Sequence, residues 1–303
     1  MYNFETHIPH WDWYYIAMYF YIGGVSAGAY FVASLAELFG SEKQHHIWRI
    51  GFTIAFWLIL ATPILLVVDL GRPERFWHIL FYIKDGVPVP YINWQSPMSV
   101  GSWALMIYGG FSLLSYLDVL VSEGRIKWAP FAKFYNRIPR KVYAVIGSAA
   151  GFFVAGYTGV LLNITARPLW EATDPLLGSL FIASGASTGA AAIALVMVRQ
   201  KITTGDFFDR LKRFDRMALI IELALIIAMI FVAGQYAAPL LRGFYAFLFW
   251  IGTVVLGILI PFGLYGYSGR LRIDESSLVT LTAVLVLFGG ALLRISIVQA
   301  GQM

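Results

Sequence analysis

Eight apolar segments, near 13–39, 48–69, 97–120, 141–164, 175–198, 217–236, 243–267 and 276–298, divide the 303-residue chain. Each has the roughly 20 residues that an α-helix needs to cross the hydrocarbon layer of a bilayer at about 1.5 Å per residue. A segment surrounded by lipid must satisfy its own backbone hydrogen bonds, so runs of this kind are helices. Hydrophobic residues make up 59% of the chain and charged residues 13%, against about 25% charged in soluble domains. The expectation is an all-α polytopic membrane protein, one integral-membrane domain over residues 1–303, with no soluble domain. Residues 1–12 are polar, lack Lys and Arg, and lead into a span too long for a signal peptide's apolar core, so no cleavable signal is expected.

An even number of spans puts both termini on one side. Of the 22 basic residues, 16 lie in alternate loops: Lys43 and Arg49, the run 125–141, the run 199–216, and Arg270 with Arg272. The other side has Arg72, Arg75, Lys84, Arg167, Arg242 and Arg294. Because loops rich in Lys and Arg stay in the cytoplasm, the termini and residues 70–96 are expected outside.

The second span ends in Thr62-Pro-Ile-Leu-Leu-Val-Val-Asp69-Leu-Gly-Arg72-Pro73-Glu-Arg-Phe-Trp77. An acid where hydrocarbon gives way to headgroups is costly and marks chemistry, although Asp69 as a turn-former or partner of an outer arginine stays open. Pro63 is expected to kink the span, with Thr62 able to satisfy the freed backbone group. Residues 74–84 read as a short amphipathic helix in the outer interface, followed by a loop rich in Pro and aromatics. Together they offer the longest outer surface for a partner.

On the first span, at about 100° per residue, Tyr15, Tyr19, Ser26, Tyr30 and Glu37 share one arc, with Gly24 and Gly28 opposite. That arc is either a packing face or a proton route reaching Glu37 at the inner end. The fourth span has small residues at Gly147, Gly151, Ala155 and Gly159, a close-packing seam beside Tyr157. The fifth is rich in Gly, Ala and Ser. In the sixth, Glu222 lies about a third of the way in from the cytoplasmic end and is expected to face protein or water.

The chain has no cysteine, so it can hold neither an iron–sulfur cluster nor a disulfide. His7, His10, His45, His46 and His78 all fall outside the spans, which argues against bis-histidine haem and against a buried metal. Nothing in the sequence points to nucleic acid. Quinone chemistry fits better: two carbonyl oxygens that gain and lose protons need hydrogen-bond donors and a titratable group at headgroup depth. Tyr19 and Tyr157 each lie about 10 Å below the outer surface by helical rise, with Asp69 and Arg72 just above. As a plain interhelical hydrogen bond, Tyr157 has a second explanation. The candidate quinone contacts are Tyr15, Tyr19, Asp69, Arg72, Tyr157 and Arg167, with Asp69 and Tyr157 as the catalytic pair and Glu37 and Glu222 as a proton path.

The motifs Val-Asp69-Leu-Gly-Arg72-Pro73-Glu-Arg-Phe-Trp77, Gly156-Tyr157-Thr-Gly-Val-Leu-Leu and Ala-Arg167-Pro-Leu-Trp170, in eight spans, resemble the NrfD/PsrC family, membrane subunits of polysulfide-reductase-like complexes. The resemblance covers nearly the whole chain. It implies two packed four-helix bundles and a haem-free site for menaquinone or ubiquinone, in which Asp69 and Tyr157 are pocket residues. It also implies an iron–sulfur subunit docked on the outer face and joined to a molybdopterin catalytic subunit, in a bacterial or archaeal cytoplasmic membrane. Membrane lipid is a further partner, and a dimer of the whole complex is compatible with such an assembly. Tyr19 stands where the family's first span supplies a histidine, so this contact departs from the pattern. The expected function is quinone-linked electron exchange in a respiratory oxidoreductase, without complete activity in this chain alone. A secondary transporter and a purely structural anchor are the alternatives, the first disfavoured because polar groups cluster at one face rather than the midplane.

Overall fold

The computed structural model describes residues 11–40, 45–70, 72–126, 138–202, 206–267 and 274–303. His7, His10, Lys43, Gly71, Lys127, Lys133, Arg137, Arg270 and Arg272 lie outside the described residues, as does the side chain of His45. Eight helices are long and apolar enough to cross a membrane: α1 (Tyr14–Phe39), α2 (His46–Asp69), α3 (Pro97–Ser122), α4 (Arg140–Asn163), α5 (Leu176–Arg199), α6 (Phe208–Leu241), α7 (Phe244–Gly266) and α8 (Glu275–Ala300). They match the eight apolar segments, with α6 longer than its apolar run.

Local chemistry explains the helix starts and the proline inside α2. Ser96 caps α3 by accepting the Ser99 N–H at 3.4 Å, with Pro97 in the first turn, and Asp274 caps α8 through the Ser277 N–H at 3.3 Å. Pro63 removes the N–H that Ile59 would otherwise receive, and the Thr62 hydroxyl donates to the Ile59 carbonyl instead at 2.8 Å.

Helix α1 is the core of the bundle. It packs on α2, α4 and α5, while α2 packs on α3 and α3 on α4; α5 carries α6 and α8, and α8 carries α7. Gly28 makes the α1–α5 contact possible, because a Cβ there would overlap the Gly185 carbonyl. The opposite side of α1 is polar and bonded throughout its lower half. The Ser26 hydroxyl donates to the Ala55 carbonyl at 2.7 Å and meets the Tyr108 hydroxyl at 2.9 Å. The Tyr30 hydroxyl donates to the Tyr143 carbonyl at 3.0 Å and shares a proton with Ser115 at 2.7 Å. Glu37 meets Arg140 at 3.5 Å, and Arg140 clamps Asp118 at 2.5 Å while lying 4.7 Å over the Trp48 ring. From Ser26 to Glu37 the arc is therefore a packing face, and its acid belongs to an ion-pair cluster at the inner end.

The segment after α2 differs from expectation. A 3₁₀-helix covers only Pro73–Ile79, and the backbone then forms an antiparallel hairpin, β1 (Phe81–Lys84) and β2 (Val87–Pro90), with Lys84 opposite Val87. Asp85 and Gly86 form the two-residue turn with φ of 51° and 80°. An Asp-Gly pair between β-favouring Phe-Tyr-Ile and Val-x-Val is a hairpin signal that outweighs the helical spacing of Phe76, Leu80 and Phe81.

We predict that Gly28→Leu, which drives a side chain into the α5 backbone, destabilises the bundle by about 3 kcal/mol. Gly109→Leu, at a position with no neighbouring atom in reach, should leave it unchanged. Thermal unfolding of the two variants in detergent provides the comparison.

Candidate functional site

Two phenols meet near the end of the bundle at which α2 finishes. Tyr19 lies five residues, about 8 Å, into α1, and Tyr157 lies six residues, about 9 Å, before the end of α4. Both are buried, at 2% and 9% exposure, and Tyr157 acts electrostatically on Tyr19. The Tyr157 ring is stacked 6.3 Å from Phe153 and lies on the α3 backbone at Gly101, where any Cβ would strike the ring. Only glycine at 101 lets the phenol lie there, a requirement visible once Tyr157 is placed.

Neither hydroxyl has a hydrogen-bond partner among the described residues. This separates them from Tyr30 and Tyr108, the buried phenols deeper in the same ring of helices, which are both bonded. Buried tyrosine hydroxyls normally find a partner, so two without one at the same depth form a donor pair aimed at something other than this chain.

Asp69 is the last residue of α2 and is partly exposed. Among the described residues it has neither a hydrogen bond nor an ion pair, and Arg72, though near in sequence, is fully exposed and does not clamp it. A carboxylate at a helix C-terminus faces the partial negative charge of the last carbonyls. The Asp12 carboxylate adds to the repulsion. Asp69 as the salt-bridge partner of an outer arginine therefore does not hold. Tyr15 lies at the rim, edge-on to Tyr14 with ring centroids 4.6 Å apart.

Arg167 has a different partner: its guanidinium donates to the Gln302 carbonyl at 3.4 Å. Beside it Trp170 stacks on Trp11 with centroids 5.6 Å apart and donates to the Ile297 carbonyl at 2.9 Å. Gln299 and Gln302 both donate to the Trp11 carbonyl at 2.9 Å. The Arg-Pro-Leu-Trp segment thus fastens the end of α8 to the segment leading into α1.

A second polar system runs through the other half of the bundle. Arg294 on α8 is 1% exposed and donates to the Ser184 hydroxyl, the Gly290 carbonyl at 3.2 Å and the Phe181 carbonyl at 3.1 Å. Ser184 in turn bonds Glu222, 3% exposed on α6. Two turns further along α6, Asp215 accepts from the Ser187 hydroxyl at 2.9 Å and the Tyr265 hydroxyl at 2.7 Å. Sequence reasoning singled out Glu222 but counted Arg294 among the outer cations and Asp215 within a basic run. Available signals were an arginine inside an apolar span and an acid seven residues from Glu222, on the same helix face. Polar groups are consequently not confined to one face of the membrane, which removes that objection to a transporter. No group of His, Cys, Asp or Glu suited to a metal occurs among the described residues.

The comparisons with known proteins agree on one family. The family model described as "Polysulphide reductase, NrfD" matches residues 3–303. A polysulfide reductase component of Wolinella succinogenes is 31% identical over 99% of this chain and 96% of its own length. The NrfD homolog of Haemophilus influenzae is 28% identical over 100% and 98%, and a selenate reductase component of Mesobacillus selenatarsenatis 25% identical over 81% and 64%. With its eight apolar helices, this chain is a multi-pass membrane protein that belongs to the polysulphide reductase NrfD family.

Proposed function

We propose that this chain is the quinone-reactive membrane subunit of a respiratory oxidoreductase, exchanging electrons between the quinone pool and an iron–sulfur subunit docked over residues 72–96. The observation that carries this reading is the pair of buried, unbonded phenols, Tyr19 and Tyr157, beneath an unclamped carboxylate. A quinone supplies two-electron, two-proton redox chemistry, and its two ring oxygens need donors of this kind at headgroup depth. In the proposal Tyr19 and Tyr157 donate to ring oxygens and hold the ring in place, while Asp69 moves a proton between the ring and the outer water. Tyr15 and Arg72 line the mouth, and Arg167 acts from behind by fixing the end of α8.

The chain has no cysteine to hold a cluster, so electrons pass to or from a partner. The exposed face of Tyr82, Tyr91 and Trp94 is the landing surface we assign to it. Relatives named as components of polysulfide and selenate reductases support a multi-subunit assembly, with a molybdopterin catalytic subunit beyond the iron–sulfur subunit. The positive-inside count supports an outward-facing site in a bacterial or archaeal cytoplasmic membrane.

Arg294, Ser184 and Glu222, continued by Asp215, Ser187 and Tyr265, favour a proton route through α5–α8 coupled to the redox step. Glu37 is tied to Arg140, so a route through it would begin by breaking that ion pair. The same buried charges would serve a secondary transporter, whose flux would not require quinone turnover.

Three outcomes are expected of the assembled complex. Asp69→Asn should lower quinone-linked turnover at least about 100-fold with all subunits still present, because the group that transfers the proton is gone; full activity would remove Asp69 from the mechanism. Tyr19→Phe and Tyr157→Phe should each weaken quinone binding about 3- to 10-fold, the worth of one hydrogen bond, read as a rise in KM for quinol. Glu222→Gln should abolish proton movement in proteoliposomes while electron transfer continues. Proton flux that persists without quinone turnover would favour the transporter.

A further inference from the structure

At the opposite end of α2 from Asp69, a groove of about 340 Å³ opens between α2, the end of α3 and the end of α5. Its charged and titratable lining is His46, Arg49, Glu123 and Arg125. Glu123 is engaged by Arg125 at 2.8 Å. Behind the wall, Asp118 acts on Arg49 electrostatically, but its carboxylate is clamped by Arg140 at 2.5 Å. Arg49 is left with no hydrogen-bond acceptor among the described residues, its Nε is fully occluded, and its one close neighbour is the Trp48 ring at 5.5 Å. A guanidinium has five N–H donors in a planar fork that suits a phosphate, so Arg49 is a donor set in search of an anion.

The rest of the groove is apolar and directional. Ile50 and Ile54 on α2, one turn apart, face Tyr116 and Leu120 on α3, also one turn apart. These walls run along the helix axes for about 12 Å from His46 to Ile54, away from the aqueous end and toward the middle of the bilayer. A cation at the headgroup level above an apolar channel parallel to the acyl chains is complementary to a lipid, whereas a free phosphate would use only its top. We propose that this groove is a binding site for an anionic phospholipid, its phosphate on Arg49 and Arg125 and one acyl chain against Ile50, Ile54 and Tyr116. The site lies a full span from the phenols and is independent of the quinone reading. By the positive-inside count it opens to the cytoplasmic leaflet, where such lipids give the surface its negative potential.

The test is lipid retention by the purified complex after exchange into phosphatidylcholine nanodiscs with and without phosphatidylglycerol, read by native mass spectrometry and by quantifying extracted lipid. The wild type should keep phosphatidylglycerol in preference to phosphatidylcholine. Arg49→Gln should lower that retention about five- to tenfold, the contribution of one cation at the surface. Thr53→Trp, which fills the groove without altering any charge, should do the same and keeps the test available if Arg49→Gln fails to assemble. Arg199→Gln, which removes a cation at the same end of α5 but outside the groove lining, should have no effect. Equal retention of the two lipids, displacement of the bound lipid by inorganic phosphate, or unchanged retention in Thr53→Trp would overturn the proposal.

Discussion

The backbone contact between α1 and α5, Gly28 against Gly185, fixes the orientation of everything else in the bundle. Helices in a bilayer gain nothing by hiding apolar side chains from lipid that is equally apolar, so close van der Waals approach and interhelical hydrogen bonds hold them together. With Gly24 and Gly28 turned toward α5 and α8, the polar arc of α1 has to face α2, α3 and α4. Ser26, Tyr30 and Glu37 then find partners on those three helices, and the guanidinium of Arg294 fits against Gly24 on the other side. One rotational setting of one helix therefore satisfies two unlike faces.

The same rotation carries Tyr19 into the interior, one turn beyond the point at which hydrogen-bond partners run out. A buried hydroxyl left without a partner costs about 1–3 kcal/mol, and a chain that bonds Tyr30 and Tyr108 has the means to avoid that cost. Leaving two such groups at one depth, below a carboxylate repelled by both its own helix end and Asp12, makes sense when an external acceptor completes them. Each piece alone has a bland explanation; their coincidence at one rim does not.

Much of the fold was legible because lipid imposes a crude and reliable rule: every spanning segment must be an apolar helix. The eight spans, the Thr62–Pro63 compensation and the burial of Glu222 all follow from it. Legibility failed where the rule does not apply. The Phe81–Pro90 hairpin lies outside the hydrocarbon, where local turn chemistry at Asp85-Gly86 decides and helical spacing misleads. It also failed for Arg294 and for the Asp118–Arg140 clamp, since burial of a charge depends on which neighbours supply acceptors and room. The room for Arg294 comes from Gly24 and Gly290, on helices far apart in sequence. In the candidate site, Tyr19, Tyr157 and Asp69 were readable as residue types at a shared depth. That Tyr157 needs Gly101 beneath it, and that Arg167 bonds the Gln302 carbonyl, depended on contacts that only the assembled helices make.

The two polar systems lie on opposite sides of the α1–α5 seam, the phenols among α1–α4 and the buried charges among α5–α8. Anything that couples them has to cross where Gly24, Gly185 and Arg294 meet. Backbones in direct contact leave little room for one half to slide against the other, because close-packed interiors resist continuous deformation. A large rigid-body rocking of the two halves, the usual device of a transporter built on a midplane site, would have to separate Gly28 from Gly185 and expose those backbones to lipid. Motion of a proton, or of the Arg294 side chain between its acceptors, needs no such separation. The packing at this seam thus favours coupling through protons and side chains over coupling through helix movement.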